Sequence, residues 1–267
     1  MKNKGEIMMK KIEQEDCRKI LIDVLNEMVK ICNENNLRYY LAYGTLIGAI
    51  RHKGFIPWDD DIDLWMPRPD YDRFVEIMQK YKGKYRVLTA LNDKEYNYPF
   101  AKVVDTETYV KEYENTDIRN LGVYVDIFPL DGLGNDYKSA LDTIKSLNVK
   151  CWRVWQLYTV NFKNNGIKGT ILKIIGKKNL FRSFIRACKK CSYDESELVG
   201  MPCYRDNDIK IFERSYFDKT TTAFFEGCEY NVPLEYDKVL KNIYGDYMQL
   251  PPENERKSLH IMDAFYR

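Results

Sequence analysis

A chain of 267 residues with 45% hydrophobic and 31% charged residues can bury a sizeable core, which excludes a disordered or fibrous polymer and points to one main folded domain. Its 42 basic and 40 acidic residues nearly cancel, and its seven scattered cysteines argue for reduced thiols in the cytoplasm rather than a disulfide framework. No stretch reaches the roughly 18 apolar residues of a membrane span, and the polar start, with Lys2, Lys4, Lys10 and Lys11, is not read as a signal peptide.

Residues 8–34 read as a leading helix, because Ile12, Ile20, Leu21, Val24, Leu25, Met28, Val29 and Ile31 supply an apolar face. Tyr39 to Ala42 then reads as a strand, broken by Gly44, with Thr45 opening a short helix that runs to Ile50. That order suits a phosphate: glycine lets backbone approach closely, and free N–H groups at a helix start attract anions. Thr45 taken alone is an ordinary N-cap, and Arg51, His52 and Lys53 complement the helix dipole, with Arg51 the one candidate for a phosphate contact.

Four carboxylates follow in Trp58-Asp59-Asp60-Asp61-Ile62-Asp63-Leu64. In an extended strand Asp59, Asp61 and Asp63 share a face and Asp60 points away. Three like charges on one face repel each other unless a hard divalent cation, Mg2+ or alternatively Mn2+, sits among their oxygens. Apolar residues on both sides, Phe55 to Trp58 and Leu64 to Met66, place these charges in a buried strand instead of a solvated loop.

Pro67 ends that strand and Pro69 starts a helix through Lys80. Strands near 85–90, 99–104, 108–112 and 122–128 complete a mixed sheet; Lys102 lies on the second, as a phosphate ligand or a solvated lysine, and Asp126 interrupts the last. A buried aspartate needs a partner, so Asp126 is the natural further carboxylate, while Asp131 with Gly132 is expected to form a turn. A hairpin over 222–230 and a helix from Leu234 to Tyr244 close the chain. Cys188 and Cys191 form a C-x-x-C without a second pair, which disfavours zinc.

The run Tyr43-Gly44-Thr45-Leu46-Ile47-Gly48-Ala49-Ile50-Arg51, followed by Gly54-Phe55-Ile56-Pro57-Trp58-Asp59-Asp60-Asp61-Ile62-Asp63, resembles the signature of the LicD family, and Val125 to Asp131 fits a later block of that family. The resemblance spans about residues 35 to 250. It implies an α/β (α+β) nucleotidyltransferase-like fold, a mixed β-sheet flanked by helices, and a phosphotransferase. Bacterial members place phosphocholine from CDP-choline on sugars of teichoic acids or lipopolysaccharide, and fukutin-type relatives transfer ribitol phosphate. Gly44 and Thr45, Asp61 and Asp63, and Asp126 fall on the family's Gly-hydroxyl pair, Asp pair and later Asp. Asp59, Asp61, Asp63 and Asp126 are then the metal ligands, Asp126 doubling as the alternative proton acceptor, with Gly44, Thr45, Arg51 and Lys102 on the substrate.

Between Thr143 and Tyr193 the chain has twelve Lys and Arg and no acid, so removing this segment leaves 30 basic residues against 40 acidic. Residues 167–190 read as a basic amphipathic helix or helix pair suited to an anionic membrane surface; packing on the core is the competing reading, and nucleic acid is disfavoured. The expected division is a catalytic core with its leading helix over 1–140, a basic helical insertion over 141–195, and a C-terminal part, 196–267, that completes the core. The expected partners are CDP-choline or another CDP-alcohol and a lipid-linked glycan, met at the inner face of the cell membrane. A quaternary ammonium is recognised by aromatic faces and carboxylates; Trp152, Trp155 and Tyr158, or Tyr96 and Tyr98, are candidates without assignment. The competing functions are nucleotide transfer from an NTP, separated by the group found on the acceptor, and a silent membrane-surface scaffold, separated by its lack of metal binding.

Overall fold

A computed structural model describes residues 9–112, 118–159, 174–203, 209–257 and 262–267. Its first helix, α1 (Gln14–Glu34), begins later than the apolar spacing implies, since residues 9 to 13 are not helical. Leu21, Val24, Leu25, Met28 and Ile31 recur at helical spacing and are all buried, so α1 packs its stripe on the sheet.

The sheet is organised by register. The short β1 (Tyr40–Leu41) runs antiparallel to β2 (Asp63–Pro67), with Tyr40 opposite Trp65. After the helix α2 (Tyr43–Ile47), a single π-turn over Gly48–His52, and α3 (Arg68–Lys80), the chain adds β3 (Tyr85–Leu88), β4 (Ala101–Asp105) and β5 (Thr108–Glu112). The long β6 (Tyr124–Gly134) returns to the centre, parallel to β2 and antiparallel to β4, giving the order β1-β2-β6-β4-β3. Helices α4 (Tyr137–Thr159) and α5 (Lys177–Cys188) follow, then β7 (Leu198–Gly200) and β8 (Ile211–Glu213) extend the sheet along the second half of β6. The β9–β10 hairpin (Thr220–Phe225 and Cys228–Pro233), α6 (Tyr236–Tyr244) and β11 (Met262–Tyr266), which pairs with β5, complete the chain. The fold is therefore a mixed α/β sheet flanked by helices, as the sequence implies.

Two expectations are corrected. The strand expected over 122–128 continues through Pro129 to Gly134. Proline lacks the ladder donor, but the β4 pairing ends at Ile127 and the β7 pairing begins at Asp131, so the gap falls where no bond is needed on that edge. Asp131 consequently does not make a turn. It is fully buried within β6 and accepts two bonds from Arg68, at 2.6 and 2.7 Å, tying the start of α3 to the sheet.

The acidic strand is the second correction. Only Asp63 of the four carboxylates lies in β2, and residues 59–62 approach it as an irregular segment. The basic run over 167–190 is described from residue 174 onward; Phe181, Phe184 and Cys188 turn α5 toward the protein. Among the described residues no helix is long and apolar enough to cross a membrane.

Candidate active site

At the edge between α2 and β2, the backbone does the positioning. Ala42 N–H donates to Asp63 O at 2.9 Å, then Tyr43 adopts a left-handed backbone, φ 43°, a strained conformation for an aromatic residue. The ring is held by Trp65 and Phe128, with centroids at 5.0 and 5.5 Å. Gly44 comes next, and anything larger would displace a carboxylate: a Cβ there would lie 2.4 Å from Asp59 Oδ2. The glycine expected to admit a ligand thus also admits a carboxylate of the site.

Thr45 has a different role from the phosphate contact expected of it. It is 2% exposed, and its hydroxyl accepts the Asp63 N–H at 3.0 Å. The hydroxyl fixes the first residue of β2. From the other side, Arg18 on α1 donates to the carbonyls of Ile56, Pro57 and Asp59, at 3.3, 3.1 and 2.6 Å, and so clamps the loop that delivers the acidic segment. No spacing in the sequence announces Arg18, whose partners lie 38 to 41 positions away.

Parallel pairing sets Asp63 directly beside Asp126. On β4, Lys102 is opposite Asp126, and its ammonium contacts both carboxylate oxygens, at 2.7 and 2.9 Å, while only 2% exposed. Lys102 is neither solvated nor aimed first at a phosphate. It neutralises one member of a carboxylate cluster. Burial, followed by Asp61, Asp126 and Asp59, pushes the Asp63 carboxyl well above its ordinary range, with Lys102 opposing. Carboxylate oxygens of Asp59, Asp60 and Asp61 lie within 4.8 Å of one another, so Asp60 stays close to its neighbours in this irregular segment.

These groups face a cavity of about 820 Å³. Gly44, Arg51, Asp59, Asp61, Asp63, Lys102 and Asp126 line it; Thr45 and Asp60 do not. Asp61 and Asp60 also line a second cavity of about 360 Å³ beside Cys17. Arg51 donates to the carbonyls of Tyr247 and Gln249, which draws the C-terminal segment to the cavity rim, where Tyr244, Asp246 and Glu255 join the lining. The donor set is all hard oxygen, and burial together with the neighbouring carboxylates makes a bare charge on Asp63 unfavourable. That chemistry fits a divalent cation such as Mg2+, for which Asp59, Asp61, Asp63 and Asp126 would be the ligands.

Sequence reasoning missed Glu112, Tyr124, Phe128 and the Tyr244–Glu255 rim. A signal was present for two of them: Tyr124, Asp126 and Phe128 alternate along one strand and all line the cavity. The candidate Tyr96 is fully buried and bonds the Phe100 carbonyl, whereas Tyr98 lines the cavity. The side chains of Trp152, Trp155 and Tyr158 lie outside the described residues.

Residues 36–172 match the family described as LicD/FKTN/FKRP, nucleotidyltransferase domain. A lipopolysaccharide cholinephosphotransferase LicD of Haemophilus influenzae is 32% identical over 275 residues, covering 96% of this chain and 99% of that protein. The chain belongs to the LicD family. Membership makes it a transferase and accounts for the pairing of a nucleotidyltransferase-type core with the acidic cluster. Human ribitol 5-phosphate transferase FKRP is 40% identical over 48 residues, 18% of this chain and 10% of that protein. An uncharacterised protein of Rickettsia typhi is 36% identical over 62 residues, 23% of this chain and 20% of that protein.

Proposed function

We propose that this enzyme transfers phosphocholine from CDP-choline to a sugar hydroxyl of a lipopolysaccharide or teichoic acid precursor and releases CMP. The observation that carries the proposal is near full-length similarity to a LicD cholinephosphotransferase, combined with the buried carboxylates that converge on one cavity. Mg2+ on Asp61, Asp63 and Asp126, with Asp59 in support, would supply charge stabilisation for the donor diphosphate and the departing CMP. The chain's own residues do the rest. Thr45 and the Asp63–Asp126 register fix the ligand carboxylates, Gly44 leaves room beside Asp59, and Lys102 pairs with Asp126 and orients it. Arg51 at the rim faces the anionic donor. The acceptor oxygen forms the new P–O bond, the bond to the CMP oxygen breaks with its electron pair, and the hydroxyl proton passes to the carboxylate cluster.

Asp61→Asn or Asp63→Asn is expected to lower CMP release in the presence of Mg2+ and acceptor glycolipid by at least about a thousandfold, with the fold retained by circular dichroism. A double variant that remained active without a divalent cation would refute the mechanism. The acceptor is bulky and lipid-linked in this reading, so the enzyme works at the inner face of the membrane. Exposed Ile174 and Ile175 beside Lys178, Arg182 and Arg186 support that placement.

A further inference from the structure

The cavity wall that leads away from the carboxylate cluster is aromatic and ends in an acid that the phosphotransfer chemistry does not use. Phe128, Phe100 and Tyr98 follow one another with ring centroids 4.5 and 5.4 Å apart, and all three line the cavity. At the end of this run stands Glu112 on β5, also in the lining. Tyr98 donates its hydroxyl to one Glu112 oxygen and Tyr124 donates to the other, at 2.9 Å for the latter. Two side chains thus orient one carboxylate at the edge of an aromatic surface.

Two of these rings, with Tyr124, already face a cation. The Lys102 ammonium sits 3.5 Å from the Tyr124 centroid, 4.9 Å from Tyr98 and 5.6 Å from Phe100. The quadrupoles of these cavity-lining rings therefore favour positive charge at this wall. Lys102 is met by Asp126 through two contacts on the cluster side.

We infer that Tyr98, Phe100 and Glu112 form a subsite for a quaternary ammonium, the cationic head of the transferred alcohol phosphate. The inference deepens the proposed function and rests on it for the identity of the alcohol. The chemistry is direct: a trimethylammonium has no N–H to donate, so it is recognised by ring faces and by a nearby carboxylate without hydrogen bonds. Tyr98, Phe100 and Glu112 are each partly exposed to the cavity, which leaves surface for a ligand. A neutral polyol such as ribitol gains nothing from the ring faces, so this subsite selects between the two donor classes of the family.

The competing occupant is the cytosine base, which also stacks on rings and offers an amino group to a carboxylate. Calorimetric titration of the full chain with phosphocholine, with its uncharged carbon isostere 3,3-dimethylbutyl phosphate, and with CMP, each with Mg2+, separates the two. The wild type is expected to bind phosphocholine about tenfold more tightly than the isostere. Glu112→Gln should reduce that preference to about twofold while CMP affinity stays unchanged. Tyr98→Phe, which keeps the ring and removes one hydroxyl, should give a smaller loss and guards against a misfolded first variant. Equal affinity of the wild type for the two phosphates, a preference undiminished in Glu112→Gln, or weakened CMP binding in its place would each overturn the inference. Failure of the proposed function shows differently, as an absence of CDP-choline turnover with glycolipid by the wild type.

Discussion

Gly44 shows how much a single residue does here. Its missing side chain is the space that Asp59 occupies, because a Cβ would stand 2.4 Å from that carboxylate. Since the obstructing atoms end a short side chain, Gly44→Ala should move Asp59 and leave the fold intact. The expected outcome is about a hundredfold loss of turnover, with a melting temperature within about 3 °C of wild type. A large loss of stability would place the glycine's importance in the backbone. Thr45 makes the opposite prediction. Thr45→Val removes the acceptor of a partly buried N–H and should cost about 1–2 kcal/mol by urea unfolding, because the hydroxyl serves Asp63 and not a ligand. Cys17, on the second cavity, is pushed up from its ordinary 9.0 to about 11 by burial, then by Asp16, Asp60 and Glu13. The folded state holds the neutral thiol, so its contribution to stability is complete below pH 9 and falls as pH rises through about 11. Melting curves between pH 9 and 11 should therefore decline less steeply for Cys17→Ser. At neutral pH iodoacetamide should modify exposed Cys228 well before Cys17.

Among the elements, β6 decides the architecture. Its first half sets Asp126 beside Asp63 and its second half carries Asp131, bonded to Arg68 from α3. Breaking a buried ion pair on one side leaves an uncompensated charge, so Arg68→Met should cost about 3–5 kcal/mol in urea unfolding, and the double variant Arg68→Met with Asp131→Leu should recover much of it. Equal losses in both would contradict the pairing. The sequence revealed β6 as a strand because Val123, Tyr124, Val125 and Ile127 surround a lone Asp126, but the expected turn at Asp131 and Gly132 kept its end near residue 128. Only the positions of β4 and β7 show why Pro129 is tolerated, and neither edge is encoded locally. The acidic segment was legible as a candidate site and misread as a strand, since alternation of Asp59, Asp61 and Asp63 cannot reveal that Arg18 holds residues 56–59 in an irregular path. Lys102 was visible as a candidate, but its partner Asp126 lies 24 residues away across a strand pair.

At the scale of the whole molecule, the near-zero net charge conceals an uneven distribution. Within the basic segment some cations are structural: Lys177 donates to the carbonyls of Asp93, Lys94 and Tyr96 and to the Asn97 side chain, and Lys189 pairs with Asp72. Lys178, Arg182 and Arg186 are exposed on α5, Arg182 also donating to the Asn179 side chain. Replacing these three by Gln should weaken binding to anionic vesicles on the order of a hundredfold at low salt, with no change in turnover of a soluble acceptor. Undiminished vesicle binding would remove α5 from the membrane contact. The central claim concerns which group crosses to the acceptor, and one measurement reaches it: purified enzyme with Mg2+, acceptor glycolipid and CDP-choline labelled separately in the choline and in the cytidine. Choline label on the acceptor with cytidine label recovered as CMP is the predicted result; cytidine label on the acceptor, or no label from either, would contradict the account.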